Sequence, residues 1–237
     1  MVDIHCHILP GIDDGSDTWD TTAQMCKMAV LDGITHIVAT PHCNGSYEYD
    51  RAHFTDMLAT LSEVAEGRLT FTIGCDFHMS PRNIEAAMDD PRPFAIGETK
   101  YLMVEFEHQG IPSNASELLR MLLSRGMVPI ITHPERNGYL MKELGTVQKF
   151  VEMGCLTQIT ANALTGFWGP KSKKAAEKLI RKKAVHIVAT DAHDLTMRPP
   201  VLSGARQVVA KLAGPKAAEA LFTENPSAVV AGRAISK

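Results

Sequence analysis

The sequence predicts an α/β domain of parallel strands alternating with helices and closed, or nearly closed, into a barrel. Three observations carry this expectation. Seven short apolar or β-branched runs recur along the 237 residues, with helical periodicity between them. Each run is almost continuously apolar, as strands covered on both faces are. Nearly every run also delivers a histidine, aspartate or glutamate at its C-terminal end. An open doubly wound sheet is the alternative, but a shared barrel rim explains that placement better.

The strands are expected at 2–5 (VDIH), 34–40 (ITHIVAT), 69–74 (LTFTIG), 101–106 (YLMVEF), 128–132 (VPIIT), 155–160 (CLTQIT) and 185–190 (VHIVAT). After the first strand, Trp19, Ala23, Cys26 and Val30 repeat at helical spacing. Ala115, Leu118, Leu119 and Leu122 mark a second helix. Asn114 and Glu117 suit its N-terminus, and Gly126 lies just past its end. Leu144, Val147, Phe150 and Val151 mark a third, closed by Gly154. The string HIVAT occurs at 36–40 and again at 186–190, each time followed within three residues by a histidine, His42 or His193.

Composition narrows the function classes. With 45% hydrophobic and 22% charged residues the chain is not disordered, and a net charge of -3 with interleaved signs makes no electrostatic case for nucleic acid. The opening MVDIHCHILPGIDDGS has neither the basic start nor the apolar run of a signal peptide. The longest uncharged stretch, 153–170, carries Thr157, Gln158, Thr160 and Asn162, so no integral membrane segment is expected. Five cysteines without a CxxC pair suit reduced thiols. The expectation is one cytoplasmic domain over 1–237.

The strand ends supply His5, His7 and Asp14, then His42, Asp76, Glu105, His133, and finally Asp191 and His193. Five imidazoles and four carboxylates at one rim form a cage for divalent cations such as manganese, iron or zinc. Alternate residues of an extended chain share a face, so His5-x-His7 aims two imidazoles together, and Asp191-x-His193 repeats the device. Nine donors exceed the needs of one ion, so two or three are expected. Such clusters activate water and polarise phosphoryl or carbonyl oxygens, which points to hydrolysis.

Other residues have simpler readings. His36 and His186 lie inside strands and are expected to be packed or hydrogen-bonded, His53 and His108 to lie in loops or on the surface, and Asp13 to be a turn or capping group. Phe77, Phe106, Phe167 and Trp168 could wall a phenyl ring or belong to the core. The cations Lys171, Lys173, Lys174, Lys178, Arg181, Lys182 and Lys183 read as a solvated helix face. A docking face for an acidic or phosphorylated tail is the sharper alternative.

In this order, DIHCHILPGIDDGS, ATPH, THPERN and ATDAH resemble the polymerase and histidinol phosphatase (PHP) superfamily, and more narrowly the manganese-dependent protein-tyrosine phosphatases of bacterial capsule and exopolysaccharide operons. The likeness runs from residue 2 to about 200, with a similar tail including ENP at 224–226. It implies a distorted (β/α)7 barrel with three metals at the C-terminal rim. One ion would lie between His5, His7 and Asp191, a second would take Glu105 and His133, Asp76 would bridge these two, and a third would use Asp14, His42 and His193. Arg136 in HPERN and Arg198 in MRPP match the phosphate-binding arginines. Asp76 is a departure, since the family usually has the longer glutamate there; His78, two residues on, could compensate.

The resemblance implies hydrolysis of phosphotyrosine on the tail of a bacterial tyrosine kinase by a metal-activated water. Histidinol phosphate or another small phosphomonoester is the alternative substrate, and a non-catalytic phosphopeptide-binding module is a third reading. A covalent Cys-x5-Arg mechanism is excluded, because the positions six after each cysteine hold Ile12, Asp32, Tyr49, Pro81 and Ala161.

Overall fold

The structure is a computed structural model that describes residues 1–235, so the last two residues of the expected domain lie outside it. The strands are β1 (Val2–Cys6), β2 (His36–Ala39), β3 (His42–Cys43), β4 (Thr70–Ile73), β5 (Asp76–His78), β6 (Tyr101–Glu105), β7 (Val128–Thr132), β8 (Leu156–Thr160) and β9 (Ile187–Ala189). The expected runs all contain strands, and every pairing is parallel. They form two sheets, β1-β2-β4 and β3-β5-β6-β7-β8-β9.

β3 and β5 are additions to the expected set. They continue β2 and β4 after short interruptions, at Thr40-Pro41 and at Gly74-Cys75. Pro41 has no N–H to give to a ladder. At Gly74 a Cβ would stand 2.8 Å from Val38 Cγ1, so only glycine lets the chain pass this close to β2. At the other edges, Asp191 N–H donates to the His5 carbonyl and His7 N–H to that of Ala192, both at 2.8 Å.

The continuous apolar runs separate by face. Leu102 and Val104 of β6 join the larger cluster, whereas Tyr101 and Met103 join a smaller one with Ile4, Ile130 and Ile187. This is the period of two that a pleated strand imposes. The helices are α1 (Trp19–Leu31), α2 (Arg51–Val64), α3 (Pro81–Asp89), α4 (Ala115–Ser124), α5 (Leu144–Glu152), α6 (Ala161–Thr165), α7 (Gly169–Arg181) and α8 (Ser203–Ala213), followed by a tail of short helical turns. In that tail Asn225 of ENP donates from Nδ2 to the His186 carbonyl at 2.8 Å, tying it to the approach to β9. Among the described residues, no helix is long and apolar enough to cross a membrane.

Two helix details differ from expectation. The fully buried face of α1 is Thr22, Met25, Cys26 and Ala29; of the expected stripe Cys26 is fully buried, while Trp19 and Val30 pack against the core from its partly buried margin. Thr22 Oγ1 donates to the Ile8 carbonyl at 2.8 Å, so a satisfied hydroxyl joins the buried face beside the apolar residues. Asn114 does precede α4, but its side chain makes no capping bond; its carbonyl accepts from Glu117 and Leu118 N–H at 2.9 and 3.1 Å.

Candidate metal centre

The loop after β1 folds back against the strand. Ser16 N–H donates to the His7 carbonyl at 3.0 Å, and a Cβ on Gly15 would lie 2.2 Å from that oxygen, so the position requires glycine. The loop presents two aspartates with different tasks. Asp13 Oδ1 accepts from Gly15 N–H at 3.0 Å, and its Oδ2 lies 2.7 Å from His7 Nδ1 and accepts from His42 N–H at 3.0 Å. Asp13 therefore orients His7, with Nε2 facing inward, and fixes the backbone of His42. Asp14 instead points its Oδ1 at His42 Nε2 and His193 Nε2, 3.3 Å from each.

The other donors converge on the same space. His5 Nε2 stands 3.2 Å from His7 Nε2 and 3.3 Å from Asp191 Oδ1, which is 3.5 Å from His7 Nε2. His133 Nε2 is 3.5 Å from Glu105 Oε1. Asp76 Oδ2 lies between the groups, 3.4 Å from His5 and 3.3 Å from His42. Each of the three ligand sets implied by the family resemblance is thus brought together, with Asp76 beside them. His133 and Asp191 reach their places through left-handed backbone, φ +31° and +54°, uncommon outside glycine.

Burial in this cluster works against charge, and the neighbours decide who keeps it. Burial would raise Asp191, but His5, Arg198 and Arg136 hold it well below the ordinary carboxylate range. Burial likewise opposes ionisation of Asp76, yet His5 and His42 hold it low. Glu105 goes the other way, pushed up to about 8 by burial and then by the charge of Asp76. The donors suit cations on a second count. His42 Nδ1, His193 Nε2 and both Asp76 oxygens are buried without a hydrogen-bond partner, and buried polar atoms are rarely left so. Four overlapping groups drawn from these nine residues have donor atoms within 4.8 Å of one another. Imidazole and carboxylate together are what manganese, iron and zinc take.

Arg136 and Arg198 both reach Asp191 Oδ2, Arg198 Nη2 at 2.6 Å. The Arg136 guanidinium lies 4.1 Å from the centroid of the Trp168 ring, and that of Arg198 5.8 Å. A cavity of about 550 Å³ opens onto both arginines, Asp14, His42, Asp76, Glu105, His133 and Asp191, with Tyr47 and Phe106 on its wall.

The simpler readings also find their places. His36 lies between the hydroxyls of Thr70 and Thr72, at 2.7 and 3.0 Å. His186 Nδ1 accepts from Thr157 N–H at 3.1 Å, while His53 and His108 are exposed. His78 Nε2 is 3.6 Å from Glu107 and belongs to none of the donor groups. Phe77 is core, against Phe94. Asp13 is more than the expected turn residue, and three supports were not anticipated. His5 Nδ1 pairs with Gln158 Oε1 at 3.0 Å, which turns its Nε2 toward the cluster. Glu135 Oε1 accepts from Thr160 N–H and Oγ1 at 2.8 and 2.7 Å, and Asp3 accepts from Thr190 N–H and Oγ1 at 2.9 and 2.5 Å. A polar or acidic residue inside an otherwise buried run, as in VDIH and CLTQIT, was the available signal.

The family profile described as "Capsular polysaccharide synthesis, CpsB/CapC" matches residues 1–231. The chain belongs to the CpsB/CapC family. Other CpsB/CapC proteins include the putative tyrosine-protein phosphatase CapC of Staphylococcus aureus, 34% identical over 85% of this chain and 80% of that one. The tyrosine-protein phosphatase CpsB of Streptococcus pneumoniae is 28% identical over 97% and 98%. A solved structure, from work on the metal-dependent tyrosine phosphatases YwqE of Bacillus subtilis and CpsB of S. pneumoniae, superposes with a TM-score of 0.93 at 32% identity, covering 100% of this chain and 96% of that one. The lactonase Lmo2620 of Listeria monocytogenes shares the fold alone, with a TM-score of 0.65 at 13% identity. The fold of this CpsB/CapC member is therefore α/β with parallel sheets.

Proposed function

We propose that this chain is a metal-dependent protein-tyrosine phosphatase whose substrate is the phosphorylated tail of a bacterial tyrosine kinase in polysaccharide synthesis, acting in the cytoplasm. The observation that carries this reading is the clustering of nine cation donors beside two arginines, six of the donors and both arginines lining one cavity, in a family whose relatives bear that activity's name. On this reading β2–β3 and β4–β5 each count as one interrupted strand, and residues 1–237 form one PHP-type domain built on a distorted seven-stranded barrel. His5, His7 and Asp191 would hold one cation, Glu105 and His133 a second with Asp76 between, and Asp14, His42 and His193 a third. Manganese is the first choice, with iron or zinc as alternatives.

Bound divalent cations supply charge that polarises the phosphoryl oxygens and lowers the pKa of water. The chain's own residues do the positioning. Arg136 and Arg198 are placed to exchange Asp191 for the equatorial oxygens of the phosphoryl group, which a planar guanidinium binds two at a time. Trp168 holds the plane of Arg136 by stacking. Tyr47 and Phe106 offer an apolar wall for the phenyl ring. A phenolate leaves with a pKa of ~10, so the demand for a general acid is smaller than for an alkoxide.

The deciding experiment compares a phosphotyrosyl peptide with histidinol phosphate, with and without added manganese. Manganese-stimulated cleavage of the peptide in preference to histidinol phosphate is expected. Turnover of histidinol phosphate alone would move the substrate to a small phosphomonoester, and binding without turnover would leave a recognition module. Thiol alkylation is expected to leave activity intact, since all five cysteines are buried and free. Asp13→Asn weakens the carboxylate that orients His7, and such supports are worth about 10- to 100-fold in metal affinity or activity. A metal titration checks this. An unchanged half-saturating manganese concentration would reduce Asp13 to a turn residue.

A further inference from the structure

We propose that a basic groove along the outside of α7 docks an anionic segment of the substrate's own chain, adjoining the phosphotyrosine in the cavity. The inference rests on the phosphatase reading and adds to it a rule for substrate choice. Lys171, Lys174, Lys178 and Lys182 are spaced three, four and four residues apart, which places them on one stripe of a helix. Across the groove stands Lys142, on the turn before α5, lining it with Met141 and one acidic residue, Glu143. The opposite face of α7 buries Ala175, Ala176, Leu179 and Ile180, so the stripe is turned outward by the packing.

Charge argues for the occupant. Among the described residues, no ion pair involves Lys142, Lys171, Lys174, Lys178 or Arg181; Lys182 donates to Gln148 Oε1 on α5 at 3.0 Å. The chain as a whole carries -3, so this is a local excess of cations on a net-negative protein. Position argues for the substrate rather than an unrelated anion. Trp168, which packs on Arg136, immediately precedes α7, and Lys171 follows three residues later. The groove therefore begins about one helical turn from the phosphate clamp. Thirteen residues of helix extend about 20 Å, the length of roughly six residues of extended peptide. Acidic or phosphorylated residues within about eight positions of the reacting tyrosine would lie over the lysines, by the same geometry.

The test is the triple variant Lys171→Glu/Lys174→Glu/Lys178→Glu, with the corresponding Lys→Ala and Lys→Arg triples. Substrates are a phosphotyrosyl peptide with flanking glutamates, the same peptide with glutamines, and p-nitrophenyl phosphate. Charge reversal is expected to raise KM for the acidic peptide about 10-fold or more, given three lost contacts each screened by solvent. The glutamine peptide and p-nitrophenyl phosphate should be turned over as before, and the arginine triple should retain the preference. Raised salt should erase the wild-type preference, since exposed pairs are screened beyond about 8 Å at physiological ionic strength. An unchanged KM for the acidic peptide would overturn the proposal, as would an equal loss on p-nitrophenyl phosphate. Binding of phosphatidylglycerol vesicles by wild type but not the reversed triple, with no peptide preference, would assign the groove to a membrane surface and overturn it too. Fluorescence anisotropy with a non-hydrolysable phosphonate version of the acidic peptide reads docking without turnover. Failure of the phosphatase reading, seen as no cleavage of any aryl phosphate, is thereby separated from failure of the groove.

Discussion

Chelation of divalent cations is expected to abolish phosphate release and to lower the melting temperature together. The cluster holds four carboxylates and five imidazoles, and His42 Nδ1, His193 Nε2 and both oxygens of Asp76 are buried without hydrogen-bond partners. Cations that bind only the folded chain satisfy those atoms and stabilise it, by about 2.7 kcal/mol for one site at a hundred times its Kd. For a chain of this size each kcal/mol moves the midpoint about 2–4 °C, so a fall of roughly 5–10 °C follows. Differential scanning fluorimetry beside a phosphate-release assay reads both. A chelated protein that melts at the same temperature and still turns over substrate would remove the cations from the account.

Arg136→Ala is expected to cost about 10²- to 10³-fold in kcat/KM, the usual consequence of removing a donor that meets developing charge. Arg136→Lys should recover only part, because an ammonium has neither the fork nor the flat face that lies on Trp168. The variant should keep the thermal response to manganese, since Arg136 contacts the cluster through Asp191 and is not itself a cation ligand. If that response disappears along with activity, Arg136 is holding the cluster together and the phosphate clamp is Arg198 alone. Wild-type kcat/KM in Arg136→Ala would dismiss the clamp.

Much of this arrangement is legible in the amino-acid sequence alone. The seven strands announced themselves because burial on both faces leaves no polar alternation, and their C-terminal residues listed the cluster in chain order. The features that the sequence hides are short or doubly employed. β3 and β5, of two and three residues, are too brief for any periodicity and are set off by Pro41 and Gly74. The buried face of α1 is broader than its apolar stripe because Thr22 is buried on the strength of a hydrogen bond. Asp13 reads as a turn residue and is one, but its second oxygen serves His7 and His42, a long-range contact that no spacing reveals. Gln158 and Glu135 were visible only as polar residues in buried surroundings, with partners supplied by the fold. The approach of Trp168 to Arg136 joins residues 32 positions apart, across two helices and a strand.

The left-handed backbone at His133 and Asp191 has an evolutionary consequence. Histidine, aspartate and asparagine tolerate that conformation better than most side chains, and β-branched residues scarcely at all. These two positions are therefore filtered twice, once by what the side chain must do and once by what the main chain will accept. The other seven donors have ordinary backbone and face only the first filter. Drift in metal preference across descendants of this sequence should then accumulate at positions such as Asp76, where exchange for glutamate asks nothing unusual of the chain, while His133 and Asp191 stay within a narrow alphabet.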